Sequence, residues 1–163
     1  MADLMGLFPG PLAGPEMRKK YAVALGDFLV AFNAVENAIR RTVKIILEKH
    51  QRTDLLSSLK GDLFAKQLTN LRLLCLSVPD FPDLPYVRII ALSGRRNVLA
   101  HGHFDQDLFS DAYKVVGKDK SAIVSLEDIK RDTDEAVDLL NEIQNAWAFL
   151  WFDDLDAGSS GAS

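Results

Sequence analysis

The residues best equipped for chemistry lie in one stretch, Arg95-Arg96-Asn97-Val98-Leu99-Ala100-His101-Gly102-His103. A guanidinium offers a planar fork of donors that matches a phosphate, and an imidazole takes up and releases protons near neutral pH. Arg96 and His101 together suit a phosphate-bearing ligand with a proton transfer beside it. Taken alone, a histidine at a helix end more often meets backbone carbonyls than reacting atoms. The neighbouring arginine and amide set His101 apart, and Arg95 and His103 add a second cation and a second imidazole. The stretch reads as the end of a helix, with Val87, Ile90, Ala91, Gly94 and Val98 at helical spacing upstream. Gly102 follows where a left-handed residue commonly closes a helix. Within such a helix Arg96 and His101 are about 7.5 Å apart along the axis and roughly 140° apart around it. They are flanking neighbours, and one copy of the pair is half of a site.

Other chemistries find little footing. Cys75 is the only cysteine, which excludes an internal disulfide and a thiolate zinc cluster, and it reads as a small buried hydrophobe. The histidines are His50, His101 and His103. The last two fit no zinc template, even with Asp105 and Asp107 nearby. There is no Gly-x-Ser-x-Gly elbow, phosphate-cradling glycine loop or cysteine with a local histidine partner. No metal or other cofactor is expected.

The elements that must hold the stretch are helices. Gly14-Pro15-Glu16 reads as a helix entry, and Tyr21, Leu25, Phe28, Phe32, Val35, Ile39, Val43 and Ile46 alternate steps of four and three. This first helix should end near His50. Its flank carries Asn33, Glu36, Asn37 and Arg40, where Glu36 and Arg40 form a plausible surface pair one turn apart. Thr53-Asp54 is a candidate cap for a short helix through Leu55, Leu56 and Leu59, and Leu63, Gln67, Leu68, Leu71, Leu74 and Val78 mark a second helix with Asp62 as its cap. Asp83 is a candidate cap for the third. Ala112–Val116 and Ser121–Ser125 are β-like runs around Gly117-Lys118-Asp119-Lys120, a hairpin signal. Ser125 and Asp128 resemble a capping box ahead of a long last helix. The expected fold is all-α: an up-and-down bundle of four main helices with a small β-hairpin between the third and last.

At 48% hydrophobic and 26% charged residues the chain is ordinary for one soluble domain. A net charge of −4 argues against sequence-independent binding to long nucleic acid, yet leaves room for local basic pairs at Arg40-Arg41 and Arg95-Arg96. Residues 1–14 are apolar but lack a basic leader and are broken by Gly6, Pro9, Gly10 and Pro11, unlike a signal peptide. No uninterrupted apolar run approaches membrane-spanning length, so a cytoplasmic protein without a membrane partner is expected. The expected organisation is a flexible segment over 1–14, a helical domain over 15–152 and a disordered tail over 153–163.

Arg96-Asn97-Val98-Leu99-Ala100-His101, followed by Gly102, resembles the signature of HEPN domains: an arginine, a polar residue, and a histidine after four to six intervening positions. The helix order is also similar, with "FNAVENAIRRTV" in the first helix and "LFAKQLTNLRLL" in the second. The resemblance spans roughly Pro15 to Phe152. It implies a metal-independent endoribonuclease, in some members a toxin or a defence or stress protein, or a non-catalytic relative that binds RNA, a nucleotide or a protein. It further implies a homodimer with the motif helix at the interface, since two protomers of this family place their motifs across one cleft. Ala91, Ser93, Gly94 and Ala100 would allow close approach there. An antitoxin partner belongs to the same set of expectations.

Carried over by position, Arg96 would hold the scissile phosphate, and His101 would serve as general acid or base. Cleavage would leave 2′,3′-cyclic phosphate and 5′-hydroxyl ends. Asn97 would orient these groups, and Arg95, His103 and Glu36 would be auxiliary or substrate-binding. One branch of the family carries a tyrosine two residues after the motif histidine, as a target of modification. Here that place holds His103, followed by Phe104, which argues against such regulation. A plain helical oligomerisation domain, with Arg96 and His101 spent on helix carbonyls, is the remaining reading.

Overall fold

The computed structural model describes residues 15–61, 63–106, 113–116 and 121–157. The expectations for residues 1–14, Asp62, Ala112, the turn at 117–120 and residues 158–163 lie outside these. The protein is all-α in class, built on four helices: α1 (Pro15–Lys49), α2 (Phe64–Cys75), α3 (Tyr86–His101) and α4 (Leu126–Ala157). The last helix continues past Asp153, where the tail was expected to begin.

The first helix organises the core because its apolar positions keep one face over nearly its whole length. Tyr21, Phe28, Phe32, Val35, Ile39, Val43 and Ile46 are all buried, and each large side chain withdrawn from water contributes about 1.5–3 kcal/mol. One stretch of this helix is long and apolar enough to cross a membrane by length and composition alone, although charged residues interrupt it. Its aromatic face is packed against the other helices, and a core helix meets the same criterion.

Contacts along α1 fix the direction of every other helix. Near the start of α1, Tyr21 Oη donates to the carbonyl of Val124, just ahead of α4. Further along, Trp147 Nε1 of α4 donates to Thr42 Oγ1 at 2.8 Å, and Lys49 donates to the carbonyl of Leu150. The two long helices therefore run the same way. So does α2: its first residue, Phe64, lies edge-on to Phe32, whereas Ser77, just past its end, meets His50 at the end of α1. Only α3 runs opposite to α1. The bundle is thus not of the alternating up-and-down kind expected. The segment between α1 and α2, which includes a 3-10 turn at Thr53–Leu56, carries the chain back along α1 before α2 starts.

Between α3 and α4 lie three short strands where a two-stranded hairpin was expected. They are β1 (His103–Gln106), β2 (Tyr113–Val116) and β3 (Ser121–Val124), antiparallel in the order β1-β2-β3. The added strand explains a second departure. Gly102 is extended, with φ −75° and ψ 153°, because the chain passes straight from α3 into β1. The helix is closed instead by the Gly102 amide donating to the Val98 carbonyl at 2.8 Å. Neither Asp83 nor Asp54 caps a helix; α3 starts after Pro85 without a side-chain cap, and Asp54 pairs with Arg52.

The cap at α4 does form. Asp128 N donates to Ser125 Oγ at 3.1 Å, and Ser125 N donates to Asp128 Oδ2 at 3.0 Å. Ser125 Oγ also donates to Asp128 Oδ2 at 2.8 Å, and the bonds from the Ser125 amide and hydroxyl hold the Asp128 carboxyl below its ordinary range. Ser125→Ala should lower stability by about 1 kcal/mol, as loss of a serine cap does. Chemical denaturation of the two proteins at neutral pH reads this directly.

Candidate functional site

Helix α3 is amphipathic, but its buried face is offset from the stripe read in the sequence. Ile89, Leu92 and Leu99 are buried, and they share their face with Arg96, at successive steps of three, four and three. The motif arginine thus occupies a core-facing position. Its guanidinium carbon lies 5.6 Å from the centre of the Phe32 ring, in the geometry of a cation–π contact. Nη1 donates to Asn97 Oδ1 at 3.0 Å, and Nη2 is 3.7 Å from Glu36 Oε1. Glu36 therefore does not pair with Arg40, as its spacing suggested. It faces across to α3, and Arg40 Nε instead donates to Gln67 Oε1 at 3.0 Å. Arg96 and Glu36 side chains keep 27% and 14% of their exposure, so the pair lines the surface rather than the deep core.

His101 stands in the last turn of α3, on the opposite, solvent-facing side. Val87, Ile90, Ala91, Gly94 and Asn97 share that exposed face. Val87 is 82% exposed and Ile90 60%, and a Cβ added at Gly94 would meet nothing within 4 Å. Val87, Ile90, Ala91 and Gly94 belong to the stripe read from spacing, and that stripe faces outward. The structure brings Arg96, Asn97 and Glu36 together. It does not join them to His101, for no hydrogen bond links Arg96 to His101 among the described residues. Neither side chain is spent on a helix carbonyl among the described residues, as the oligomerisation-domain reading would require. His103 opens β1, its backbone in register with Val116.

Arg95 points to α4, where its Nε lies 2.6 Å from Asp132 Oδ1. The contact lacks the alignment of a hydrogen bond, and Oδ1 has no such partner among the described residues. The Asp132 side chain is only 5% exposed. Its burial therefore outweighs the pull of Arg95, and the carboxyl is pushed above its ordinary range. Arg88, seven residues before Arg95, extends this polar seam by a forked pair with Glu135 and a contact to Glu142. Arg95 is thus tied to α4 by one edge of its guanidinium, with 46% of the side chain still exposed. Asp132 escaped the sequence reading, although a signal existed: it falls on the apolar period of α4, between Ile129 and Ala136, where a charge is unexpected.

The remaining reactive groups have structural work. His50 Nε2 and Ser77 Oγ are 3.2 Å apart, and Ser77 donates to the Leu74 carbonyl, tying the ends of α1 and α2. Cys75 is half-buried at the end of α2, and burial pushes its thiol up, so it stays protonated.

Asp132 gives the seam a pH signature with a definite sign. Its folded-state pKa lies above the unfolded value of about 3.9, so folding favours the protonated form. Its contribution is complete below pH 4 and is lost as pH rises through the folded pKa. The stability of the native protein relative to Asp132→Asn should therefore fall between pH 4 and neutrality. Urea titrations of both proteins at several pH values measure this difference. A constant difference would contradict the assigned burial.

Comparison with family models, with curated proteins and with solved structures returned no match.

Proposed function

We propose that the protein is a metal-independent endoribonuclease of the HEPN type, acting as a cytoplasmic homodimer without a cofactor. One observation carries this reading. Arg96 is pre-set between Phe32, Glu36 and Asn97, while His101 stands on a helix face that no described part of the chain covers. The small and apolar residues of that face suit a second copy of α3, packed about a two-fold axis. Such packing would bring two His101 side chains together at one cleft, with each Arg96, 27% exposed, reaching them from the flank of α3.

The chemistry of that cleft follows from the side chains. A phosphodiester enters with non-bridging oxygens on the Arg96 fork, displacing the loose contact with Glu36. One imidazole takes the proton of the ribose 2′-hydroxyl as its oxygen bonds to phosphorus. The bond from phosphorus to the 5′-oxygen breaks, and the imidazole of the second copy protonates that oxygen. The products are a 2′,3′-cyclic phosphate and a 5′-hydroxyl. Arg96 stabilises the charge gathering on the phosphoryl oxygens, and Asn97 keeps its fork in place. A toxin or stress role restrained by an antitoxin belongs to this same reading. A second reading has its footing in Glu36, whose carboxylate already offsets the charge of Arg96. It is a bundle that grips RNA, a nucleotide or a protein without turnover.

Cleavage of labelled single-stranded RNA by the purified protein should survive EDTA. His101→Ala should lower the rate about a hundred- to ten-thousand-fold, the usual share of a general acid–base group, with RNA binding retained. Arg96→Lys should also be severely impaired, because an ammonium cannot reproduce the fork. Undiminished cleavage by His101→Ala, with its fold verified by circular dichroism, would return the motif to a structural role. Binding without turnover in the native protein would favour the second reading.

The dimer is tested separately by sedimentation. The native protein should be dimeric at micromolar concentration. Ile90→Glu should make it monomeric and inactive without loss of helical signal. A native monomer that cleaves RNA would contradict the shared cleft.

A further inference from the structure

A pocket of about 350 Å³ opens between α1, the returning segment and α2. Its floor is apolar, formed by Val43, Leu56 and Leu59. Its walls carry Arg40 and Gln67, with Lys60 at the side. The described residues around it supply two cations and no carboxylate. Arg40 is not loosely placed: its Nε donates to Gln67 Oε1 at 3.0 Å, and both residues line the pocket. Gly61, at φ +88°, takes the left-handed turn that leads the chain from this wall toward α2.

The pocket adjoins the Arg96 site on two helices at once. On α1, Arg40 is one turn beyond Glu36, the residue facing Arg96. On α2, Gln67 is one turn beyond Phe64, which packs on the ring beneath Arg96. One turn is about 5.4 Å, so a strand whose phosphate sits on Arg96 reaches the pocket with its adjoining nucleotide. The cavity is at the small end of the range for ligand sites, about 300–1,000 Å³, and suits one base rather than a longer segment.

We propose that this pocket is a nucleotide subsite. It takes the base of the nucleotide next to the scissile phosphate, and Arg40 and Lys60 meet the flanking phosphate. The apolar floor receives one face of the base, and the planar guanidinium of Arg40 stacks on the other as guanidinium planes do with unstacked RNA bases. This inference rests on the ribonuclease reading for its link to Arg96, but the pocket itself is testable without turnover.

The probes are the four nucleoside 5′-monophosphates and inorganic phosphate, titrated into the full chain and followed by ¹H–¹⁵N NMR. At least one nucleotide should shift the amides of Leu59, Gly61 and Asn70, and should bind at least tenfold more tightly than phosphate. Arg40→Ala with Lys60→Ala should weaken this binding at least tenfold. Leu59→Phe, which fills the floor, should do so with the cations intact. Equal binding of phosphate and nucleotide would overturn the base subsite, and so would nucleotide shifts elsewhere. His101-dependent cleavage of RNA with no nucleotide in the pocket would leave the ribonuclease reading standing and remove the subsite. Nucleotide in the pocket without cleavage would do the reverse.

Discussion

Three helices meet at the ring of Phe32. The ring is fully buried on α1, carries Phe64 of α2 against it at 5.4 Å, and holds the Arg96 guanidinium of α3 over it. A cation above an aromatic face gains from the ring's quadrupole, and more so where water is partly excluded. The same ring thus completes the core and sets the position of Arg96. Glu36 and Asn97 restrict the guanidinium from two sides. The arginine enters any reaction with most of its side-chain freedom already lost, which favours preorganised charge stabilisation.

Around that junction the fold separates the two halves of the motif. Arg96 belongs to the inward stripe of α3 and His101 to its outward face, a separation that five residues of helix make unavoidable. The inward half is held by α1, and the outward half is left for whatever covers α3. The polar seam of Arg88 and Arg95 with Glu135, Glu142 and Asp132 fixes the rotation of α3 about its own axis. A roll of α3 would strip Asp132 of its cation while leaving it buried, which is costly. The seam thereby keeps His101 outward.

Much of this was legible in the sequence where periodicity is long and unbroken. The α1 stripe from Tyr21 to Ile46 is buried as its spacing implied, and the Ser125–Asp128 box caps α4. Direction was not legible. The return of the chain before α2 depends on packing that a local pattern does not encode. The buried face of α3 was not legible for a physical reason: Arg96 occupies a core-facing position, so the apolar period is interrupted where it would have been most informative. Asp132 was hidden by the same effect on α4. Conversely, Val87, Ile90 and Gly94 form the helical stripe that the spacing shows, yet that stripe faces outward. The partnership of Glu36 with Arg96 crosses two helices, and no spacing within α1 could reveal it. Polar residues standing on apolar periods, Arg96 and Asp132 above all, mark where the sequence departs from simple packing.

The central claim is that the ribose 2′-hydroxyl is the nucleophile, activated by a face-exposed imidazole beside a preset arginine. The most direct measurement acts on the substrate. A labelled RNA is first mapped for its cut site, then resynthesised with one deoxyribose immediately 5′ of the scissile phosphate and incubated with the protein in EDTA. The account predicts that cleavage at that position stops while binding persists, and that products cut elsewhere carry 2′,3′-cyclic phosphates. Continued cleavage at the deoxyribose would mean that the attacking oxygen comes from elsewhere, and the proposed chemistry would be wrong.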